Sequence, residues 1–280
     1  MYELTNMQKV TFIGGGNMAR SLLGGLIQAG IDPANIAIGE PDNLRRQELS
    51  REFSVVTSAN NVAAAHDAEI IILAIKPQNA ASAVSNLSRT LSARKPLVIS
   101  ILAGVNINSL TSWGGGNLAI VRAMPNMPAL IGAGISVLFA NNEVTATQYV
   151  QAESIMKAIG KTMWVDDENL IDTVTSISGS GPAYFFYLIE AMEQAAKDGG
   201  LEPEFARILT LETALGAARL AIDTNESLAE LRKRVTSPGG TTEAAIAVLD
   251  KWHTSDAIKT AVLAARHRAQ ALATANEIEE

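Results

Sequence analysis

The chain has 280 residues, of which 48% are hydrophobic and 18% charged, and its formal net charge is −7. This composition is typical of a globular protein with a substantial core, long enough for two domains, and it excludes a disordered chain. The acidic balance and the scattered lysines and arginines argue against a partner made of nucleic acid.

The sequence also indicates a cellular setting. There is no cysteine, so neither disulfides nor thiol chemistry contribute, which fits a reducing cytoplasm. The first residues show no basic region followed by an apolar core, so we expect no signal peptide. No apolar run approaches the roughly 20 residues that span a bilayer. We therefore expect a cytoplasmic protein without a membrane partner.

The first predicted element is an apolar run that is followed directly by three glycines. Val10–Ile13 predicts a strand, and a helical pattern begins at Asn17. The spacing Gly14-x-Gly16-x-x-Ala19 fits a dinucleotide-binding turn in which alanine replaces the third glycine. Gly14 would permit the tight turn, Gly16 would let the backbone approach a pyrophosphate, and Ala19 would keep the helix close to the sheet. An ordinary glycine turn is the alternative.

The second predicted strand, 35–38, is followed by an acidic residue, Glu40. In dinucleotide-binding folds an acid here binds the hydroxyls of the adenosine ribose and disfavours a 2′-phosphate. Arg45 and Arg46 follow, and they either clamp a 2′-phosphate or lie solvated on a surface helix. The choice between NADH and NADPH stays open on these residues.

Strands and helices continue to alternate as far as residue 125. Further strands are predicted at 54–56, 69–75, 97–101 and 118–121, with helices at 61–66 and from Pro77 to about residue 88. This alternation predicts a parallel sheet covered by helices on both faces. Ligands gather at the carboxyl ends of such strands. These ends are expected in the loops 14–19, 39–42, 76–78, 103–104 and 122–126.

The pattern changes towards the C-terminus. Strands at 135–139 and 162–165 flank a helix at about 143–159, for which Gly160 suits the C-terminal cap. No strand is predicted after about residue 166. Helices are predicted at 168–176, 181–198, 203–223, 226–234, 241–251 and 254–275. The fold class is therefore α/β, with an N-terminal Rossmann-type, mostly parallel sheet over 1–165 and an all-helical domain over 166–280.

The helical half contains a glycine-rich stretch that is polar enough to bind a ligand. In 235–244, the amides of Gly240, Thr241 and Thr242 would be exposed at the start of a helix, beside the hydroxyl of Ser237. Amides and the positive end of a helix dipole form a cup for a carboxylate. The alternative is an ordinary helix start with a threonine cap.

Some kinds of chemistry are not suggested by the sequence. No cluster of histidine, aspartate and glutamate has the spacing of metal ligands, and no nucleophile elbow is present. We expect a reaction that needs neither a metal nor a strong general base.

Five motifs in order resemble the pyrroline-5-carboxylate reductase family, over nearly the whole chain. The motifs are residues 13–19, 74–78, 122–126, 178–184 and 235–242. The resemblance implies a Rossmann domain, a helical dimerisation domain, and homodimers that often assemble into larger rings such as decamers. It also implies NAD(P)H-dependent reduction of 1-pyrroline-5-carboxylate to L-proline, the last step of proline biosynthesis.

The resemblance also assigns roles to individual residues. It places the pyrophosphate at Gly16, Asn17 and Met18, and it places Ile75, Lys76, Pro77, Ala103 and Gly104 around the nicotinamide half of the cofactor. It gives the substrate carboxylate to Ser237, Gly240, Thr241 and Thr242, with Thr242 also reaching the ring nitrogen. The family commonly uses NADPH, often with small hydroxyl or basic residues where Glu40 stands, so NADH is also expected as a cofactor.

The chemistry suits these residues. A protonated cyclic imine already accepts hydride, so the protein must bind its carboxylate, hold the C=N carbon about 3–3.5 Å from the nicotinamide C4 and exclude water. A hydroxyacid dehydrogenase of similar build would carry a lysine at Phe185 and an asparagine at Ile189, and Phe185 cannot act as a base. A regulatory nucleotide-binding module without catalysis is the other alternative, and the intact carboxylate cup argues against it.

Overall fold

The structure is a computed structural model that describes the backbone of residues 8–278 and the side chains of residues 8–273. The first residues, on which the absence of a signal peptide was predicted, lie outside this range. The chain forms two compact units. One comprises the residues up to Ser180 together with those from Ala265 onward, and the other comprises Gly181–Ala264. The domain boundary after residue 165 stays a prediction.

The first unit is built on one eight-stranded sheet. Its strands are β1 (Val10–Ile13), β2 (Ile36–Gly39), β3 (Val56–Ser58), β4 (Ile70–Leu73), β5 (Leu97–Ser100), β6 (Ile120–Met124), β7 (Gly134–Ala140) and β8 (Gly160–Trp164). The strand order is β3-β2-β1-β4-β5-β6-β7-β8. Only the β6–β7 pair is antiparallel among these strands. The predicted mostly parallel sheet is confirmed.

Seven helices of this unit connect or follow the strands. They are α1 (Asn17–Gln28), α2 (Asn43–Phe53), α3 (Asn61–Ala64), α4 (Ala80–Arg94), α5 (Ile107–Gly114), α6 (Ala146–Lys157) and α7 (Leu170–Val174). Short 3₁₀ turns lie at Pro33–Asn35, Pro77–Asn79 and Met127–Ile131, and a π-helical turn follows α7 at Thr175–Gly179. Helix α5 was not predicted.

Successive side chains of a strand point to opposite faces of the sheet, and the apolar ones form two hydrophobic cores, one on each face. On β4, Ile70 and Ile72 belong to one core, and Ile71 and Leu73 belong to the other. The leucines of α1 complete the first core, and those of α4 complete the second. This explains why the strands are continuously apolar, and it confirms that helices cover both faces.

Two details differ from the prediction. The loop expected at 122–126 begins later, because β6 continues to Met124 and Arg122 pairs with Phe139 of β7. Gly160 does not cap a helix: α6 ends at Lys157, and Gly160 opens β8 with a φ of 145°. A Cβ at Gly160 would lie 1.9 Å from the carbonyl oxygen of Gly134, so the approach of β7 explains the glycine.

The second unit is helical. It contains α8 (Gly181–Asp198), α9 (Pro203–Asp223), α10 (Leu228–Arg234), α11 (Thr241–Lys251) and the first part of α12 (Thr254–Ile278). Within the described range no strand follows Trp164, as predicted. Many large apolar side chains of α8 and α9 are exposed, including Phe185 at 67% and Tyr187 at 77%. None of the described helices combines the length and apolar character that a membrane span requires.

Candidate active site

A cleft of about 800 Å³ opens in the first unit where β1, β2 and β4 end. A doubly wound sheet binds its ligands at this edge. Of the residues predicted to bind a cofactor, seven line this cleft, namely Gly14, Gly16, Asn17, Met18, Glu40, Ile75 and Lys76. The fold thus brings together three loops that are far apart in sequence.

The glycines of the first loop serve different purposes. Gly14 has a φ of 98°, and a Cβ there would lie 2.6 Å from the carbonyl oxygen of Ala74. Gly14 is therefore required by the turn itself. A Cβ at Gly15 would lie 2.4 Å from Cδ1 of Leu49, so Gly15 is required by the packing of α2.

Gly16 faces open space, because a Cβ there would meet no atom within 4 Å. It caps α1 without a side-chain hydrogen bond, so the N–H groups of the first turn are left for a ligand. Open space beside free amides at the positive end of a helix fits the pyrophosphate of a dinucleotide. The residues of this loop therefore suit a nicotinamide dinucleotide.

Glu40 lines the cleft and is only 4% exposed. Its Oε2 accepts a hydrogen bond from the N–H of Gly15 at 3.0 Å, and its Oε1 accepts one from the N–H of Asp42 at 3.0 Å. Arg45 Nη1 lies 3.3 Å from the same Oε2. The carboxylate of Glu40 thus joins the glycine loop to the start of α2, a contact that sequence reasoning missed.

Three predicted cofactor residues are absent from the lining of this cleft. Pro77 opens a 3₁₀ turn next to Lys76. Ala103 and Gly104 follow β5, where a Cβ on Gly104 would lie 2.9 Å from Cβ of Leu272. The role of these three residues near the nicotinamide stays a prediction.

The predicted substrate residues Ser237, Gly240, Thr241 and Thr242 lie together at the start of α11, in the second unit. Gly240 is the N-cap, and its own N–H donates to the carbonyl oxygen of Ser237 at 3.0 Å, so the expectation that this amide is exposed to a ligand is wrong. Neither threonine caps the helix with its side chain. The amides of Thr241 and Thr242 are therefore the first-turn donors that the helix leaves without an intrahelical partner.

The turn before α11 is held by a carboxylate. Gly239 has a φ of 70°, and its N–H donates to Oε2 of Glu243 at 2.8 Å. This contact fixes the turn that presents Gly240 and the two threonines. The segment is thus a helix N-terminus with free amides and with hydroxyls beside them, which suits a carboxylate ligand.

Sequence reasoning also missed a buried charge cluster. Arg122 on β6 is 3% exposed, and its Nη1 donates to Oε1 of Glu168 at 3.0 Å. Its Nη2 lies 3.5 Å from Oδ1 of Asp172, and Glu168 also accepts the N–H of Ile107 at 2.9 Å. The sequence did offer one indication of this cluster, because Arg122 stands between two apolar residues of a strand, Val121 and Ala123. The cluster fixes α7, which leads into the π-helical turn.

Comparison with protein families supports these features. A family model described as NADP oxidoreductase coenzyme F420-dependent matches residues 9–104, which contain the glycine loop and Glu40. Among the described residues, no three histidine, cysteine, aspartate or glutamate side chains are grouped so as to hold a metal ion. The sheet, the cleft and this match define the class of NAD(P)-dependent oxidoreductases.

A second family model, described as pyrroline-5-carboxylate reductase dimerisation, matches residues 168–272. The pyrroline-5-carboxylate reductase of Pseudomonas aeruginosa is 43% identical over 265 residues, covering 95% of this chain and 97% of that protein. That of Synechocystis sp. is 43% identical over 261 residues, covering 93% and 96%. The chain belongs to the pyrroline-5-carboxylate reductase family.

Solved structures agree with this assignment. The chain is similar to a pyrroline-5-carboxylate reductase from Coxiella burnetii, with a TM-score of 0.88 and 43% identity over 95% of this chain and 98% of that one. It is also similar to a pyrroline carboxylate reductase of Plasmodium falciparum with NADP bound, with a TM-score of 0.87 and 29% identity over 96% and 99%. The prediction of the family is confirmed.

Proposed function

We propose that the chain reduces 1-pyrroline-5-carboxylate to L-proline with the nucleotide loop of the first unit and the start of α11 in the second. NAD(P)H, when bound, would supply the hydride that reduces the carbon of the protonated C=N bond, with NAD(P)⁺ as the other product. The product is the saturated ring with an amine nitrogen. The protein has to bind, orient and shield the reactants.

In the first unit, Gly14 holds the turn, and Gly16, Asn17 and Met18 present amides to the pyrophosphate. Glu40 stands at the adenosine end of the cleft. The nicotinamide half is assigned to Ile75, Lys76, Pro77, Ala103 and Gly104. The open space at Gly16 supports the pyrophosphate assignment.

In the second unit, the substrate carboxylate is assigned to Ser237, Gly240, Thr241 and Thr242, with the amides of the two threonines as donors and Gly240 as the cap whose own N–H is bonded to Ser237. The observation that carries this assignment is that α11 begins at a glycine with no side-chain cap, so two amides and their threonine hydroxyls stay free for a ligand. Thr242 also orients the ring nitrogen through its hydroxyl. The carboxylate binds at the positive end of the α11 dipole.

The chain self-associates through its dimerisation domain. The exposed apolar side chains of α8 and α9 are suited to contact with a second copy. We propose a homodimer that assembles further into a decamer. Sedimentation equilibrium tests this proposal, which requires a mass ten times that of one chain at high protein concentration, and a mass fixed at two chains would contradict it.

We also propose that the enzyme acts in the cytoplasm, with the cyclic imine as its small-molecule partner and without nucleic acid or membrane partners. The absence of cysteine suits a reducing compartment. The net charge of −7 disfavours binding to nucleic acid.

Absorbance at 340 nm tests the activity directly. Purified protein is mixed with racemic 1-pyrroline-5-carboxylate, with NADPH and NADH in parallel cuvettes. A loss of absorbance that depends on the imine is expected, with proline as the product. If folded protein binds the nucleotide but consumes neither cofactor, the regulatory alternative replaces the reductase.

A further inference from the structure

The acid that follows β2 does not stand free in the nucleotide cleft. The side chain of Glu40 is only 5% exposed. Both of its oxygens accept backbone N–H groups, one from Gly15 and one from Asp42, each at 3.0 Å. An acid that binds ribose hydroxyls must offer its oxygens to the ligand. The oxygens of Glu40 are instead directed at the chain itself.

The two arginines that follow Glu40 differ in their contacts. Arg46 donates through Nη1 to the carbonyl oxygens of Glu40 and Pro41, each at 2.7 Å, and through Nη2 to Oδ1 of Asn43 at 2.9 Å. It is absent from the lining of the nucleotide cleft. Arg46 therefore belongs to the turn between β2 and α2.

Arg45 does line the cleft, and its side chain is 49% exposed. Its ion pair with Glu40 is long, at 3.3 Å, so its guanidinium keeps donors for a ligand. Arg20 also lines the cleft, but it is held by Glu48 at 2.6 Å and by Glu52. Lys76 also lines the cleft, but it follows β4 rather than β2, so Arg45 is the cation beside Glu40 that is most available to an anion.

We propose that Glu40 is a positioning residue, which fixes Gly15 and Arg45, and that Arg45 selects NADPH by donating hydrogen bonds to the 2′-phosphate. This inference rests on the proposed binding of a nucleotide in this cleft. The negative charge of Glu40 is compensated by two N–H donors and by the guanidinium, so it does not repel the phosphate as a free acid would. A planar guanidinium is well suited to a phosphate.

Isothermal titration calorimetry with 2′,5′-ADP and 5′-AMP tests the proposal without catalysis. These probes are the adenosine halves of NADP and NAD. The wild-type protein should bind 2′,5′-ADP more tightly. Arg45→Gln should weaken 2′,5′-ADP about 10- to 100-fold and leave 5′-AMP within about twofold. Equal binding of the two probes by the wild type, or an unchanged ratio in Arg45→Gln, would overturn the role of Arg45.

The Glu40→Gln variant distinguishes two roles for Glu40: positioning of the glycine loop, or repulsion of a 2′-phosphate by a free acid. An amide has one acceptor oxygen, so it cannot satisfy both N–H groups as the carboxylate does. If Glu40 positions the loop and Arg45, both probes should bind more weakly, and 2′,5′-ADP should lose at least as much affinity as 5′-AMP, because Arg45 loses its charged partner. If Glu40 is a free acid at the ribose, 2′,5′-ADP should bind more tightly and 5′-AMP more weakly, and the positioning role is then wrong.

Hydrogen–deuterium exchange of the ligand-free protein gives a second readout. Glu40→Gln should speed exchange in residues 10–19, since the Gly15 amide loses a charged acceptor. Arg51→Gln is the matched control, because Arg51 is an exposed arginine of the same helix outside the cleft. It should change neither exchange in this segment nor the ratio of the two probes. Equal exchange in Glu40→Gln and wild type would remove the positioning role.

The outcome also distinguishes this inference from the proposed function. If the wild type binds neither probe and no NADPH, the nucleotide site itself is wrong. If it binds NADPH and reduces the imine while Arg45→Gln keeps the wild-type ratio, only the selection by Arg45 fails. Should Glu40→Gln not fold, Arg45→Gln and Arg45→Lys still decide the selection, because lysine keeps the charge and should retain part of the preference.

Discussion

Arg122 and Glu168 form an ion pair between β6 and the segment that precedes α7, with 3.0 Å between Nη1 and Oε1. Their side chains are only 4% and 22% exposed. Removing one member of a buried pair leaves the other charge without compensation. The pair therefore contributes to the stability of the sheet around β6, which is an interior strand.

Arg122→Ala should lower the free energy of unfolding by about 3–5 kcal/mol. Denaturant unfolding at one fixed protein concentration measures this, because self-association contributes to stability. Lys259→Ala is the control, since its ion pair with Asp256 is exposed and should matter little. Similar midpoints for the two variants would show that the buried pair contributes no stability.

Replacement by alanine should have different effects at Gly14 and at Gly16, the two glycines of the cleft that were predicted to bind the cofactor. Gly14→Ala has to adopt a φ near 98° against the Ala74 carbonyl, and it should destabilise the fold by about 1–3 kcal/mol. Gly16→Ala should fold, because its Cβ meets no atom within 4 Å, but it should weaken NADPH binding about tenfold by filling the space that we assign to the pyrophosphate. Thermal unfolding and NADPH titration measure the two effects, and the reverse assignment would contradict the structure.

Thr242→Ala should lower turnover by one to two orders of magnitude, because the hydroxyl that we propose orients the ring nitrogen is lost. The 340 nm assay at saturating imine and NADPH measures this. Thr260→Ala is the matched control, since Thr260 is exposed and donates to the carbonyl oxygen of Asp256 within α12. Wild-type kinetics in Thr242→Ala would remove this residue from the mechanism.

Asp67, which does not line the nucleotide cleft, should make the free energy of unfolding depend on pH. A hydrogen bond and the charge of Lys9 hold the pKa of Asp67 below its ordinary value of 3.8, and His66 adds to the effect. A carboxyl with a lowered folded pKa stabilises the protein above its unfolded pKa, and this contribution is lost as the pH falls through the folded pKa.

Asp67→Asn should therefore melt below the wild type at pH 7, and the difference should vanish at a pH below the folded pKa. Melting temperatures over a series of acidic buffers measure it, with Asp250→Asn as a control of equal charge. Reductase activity at pH 7 should stay unchanged. A difference that persists unchanged at low pH would exclude the ion pair as its cause.

Local pattern was enough to predict most of the fold. The continuous apolar run of β4 and the glycines after β1 placed the sheet and its cleft correctly. Helix α5 was missed because it has only eight residues and ends at glycines. Its residues Ile107 and Leu110 are buried by neighbours that are distant in sequence, and these contacts stabilise a short helix that propensity alone does not favour.

The contacts of charged side chains could not be predicted in the same way. Arg122 is neutralised by Glu168, which lies 46 positions later, and Glu40 is held by Gly15, 25 positions earlier. Residue type and spacing predicted that Glu40 binds the cofactor, and the structure places it in the lining of the cleft. They could not reveal that its oxygens are directed at the backbone, because that depends on how α2 packs beside the glycine loop.

The contact of Gly104 with Leu272 bears on how the chain folds during synthesis. The first unit contains residues from both ends of the chain, and these two residues are 168 positions apart (272 − 104). A ribosome releases the N-terminal part first, at about 5–20 residues per second. The loop after β5 is therefore made at least several seconds before Leu272, and it cannot complete this contact until residue 272 has been synthesised.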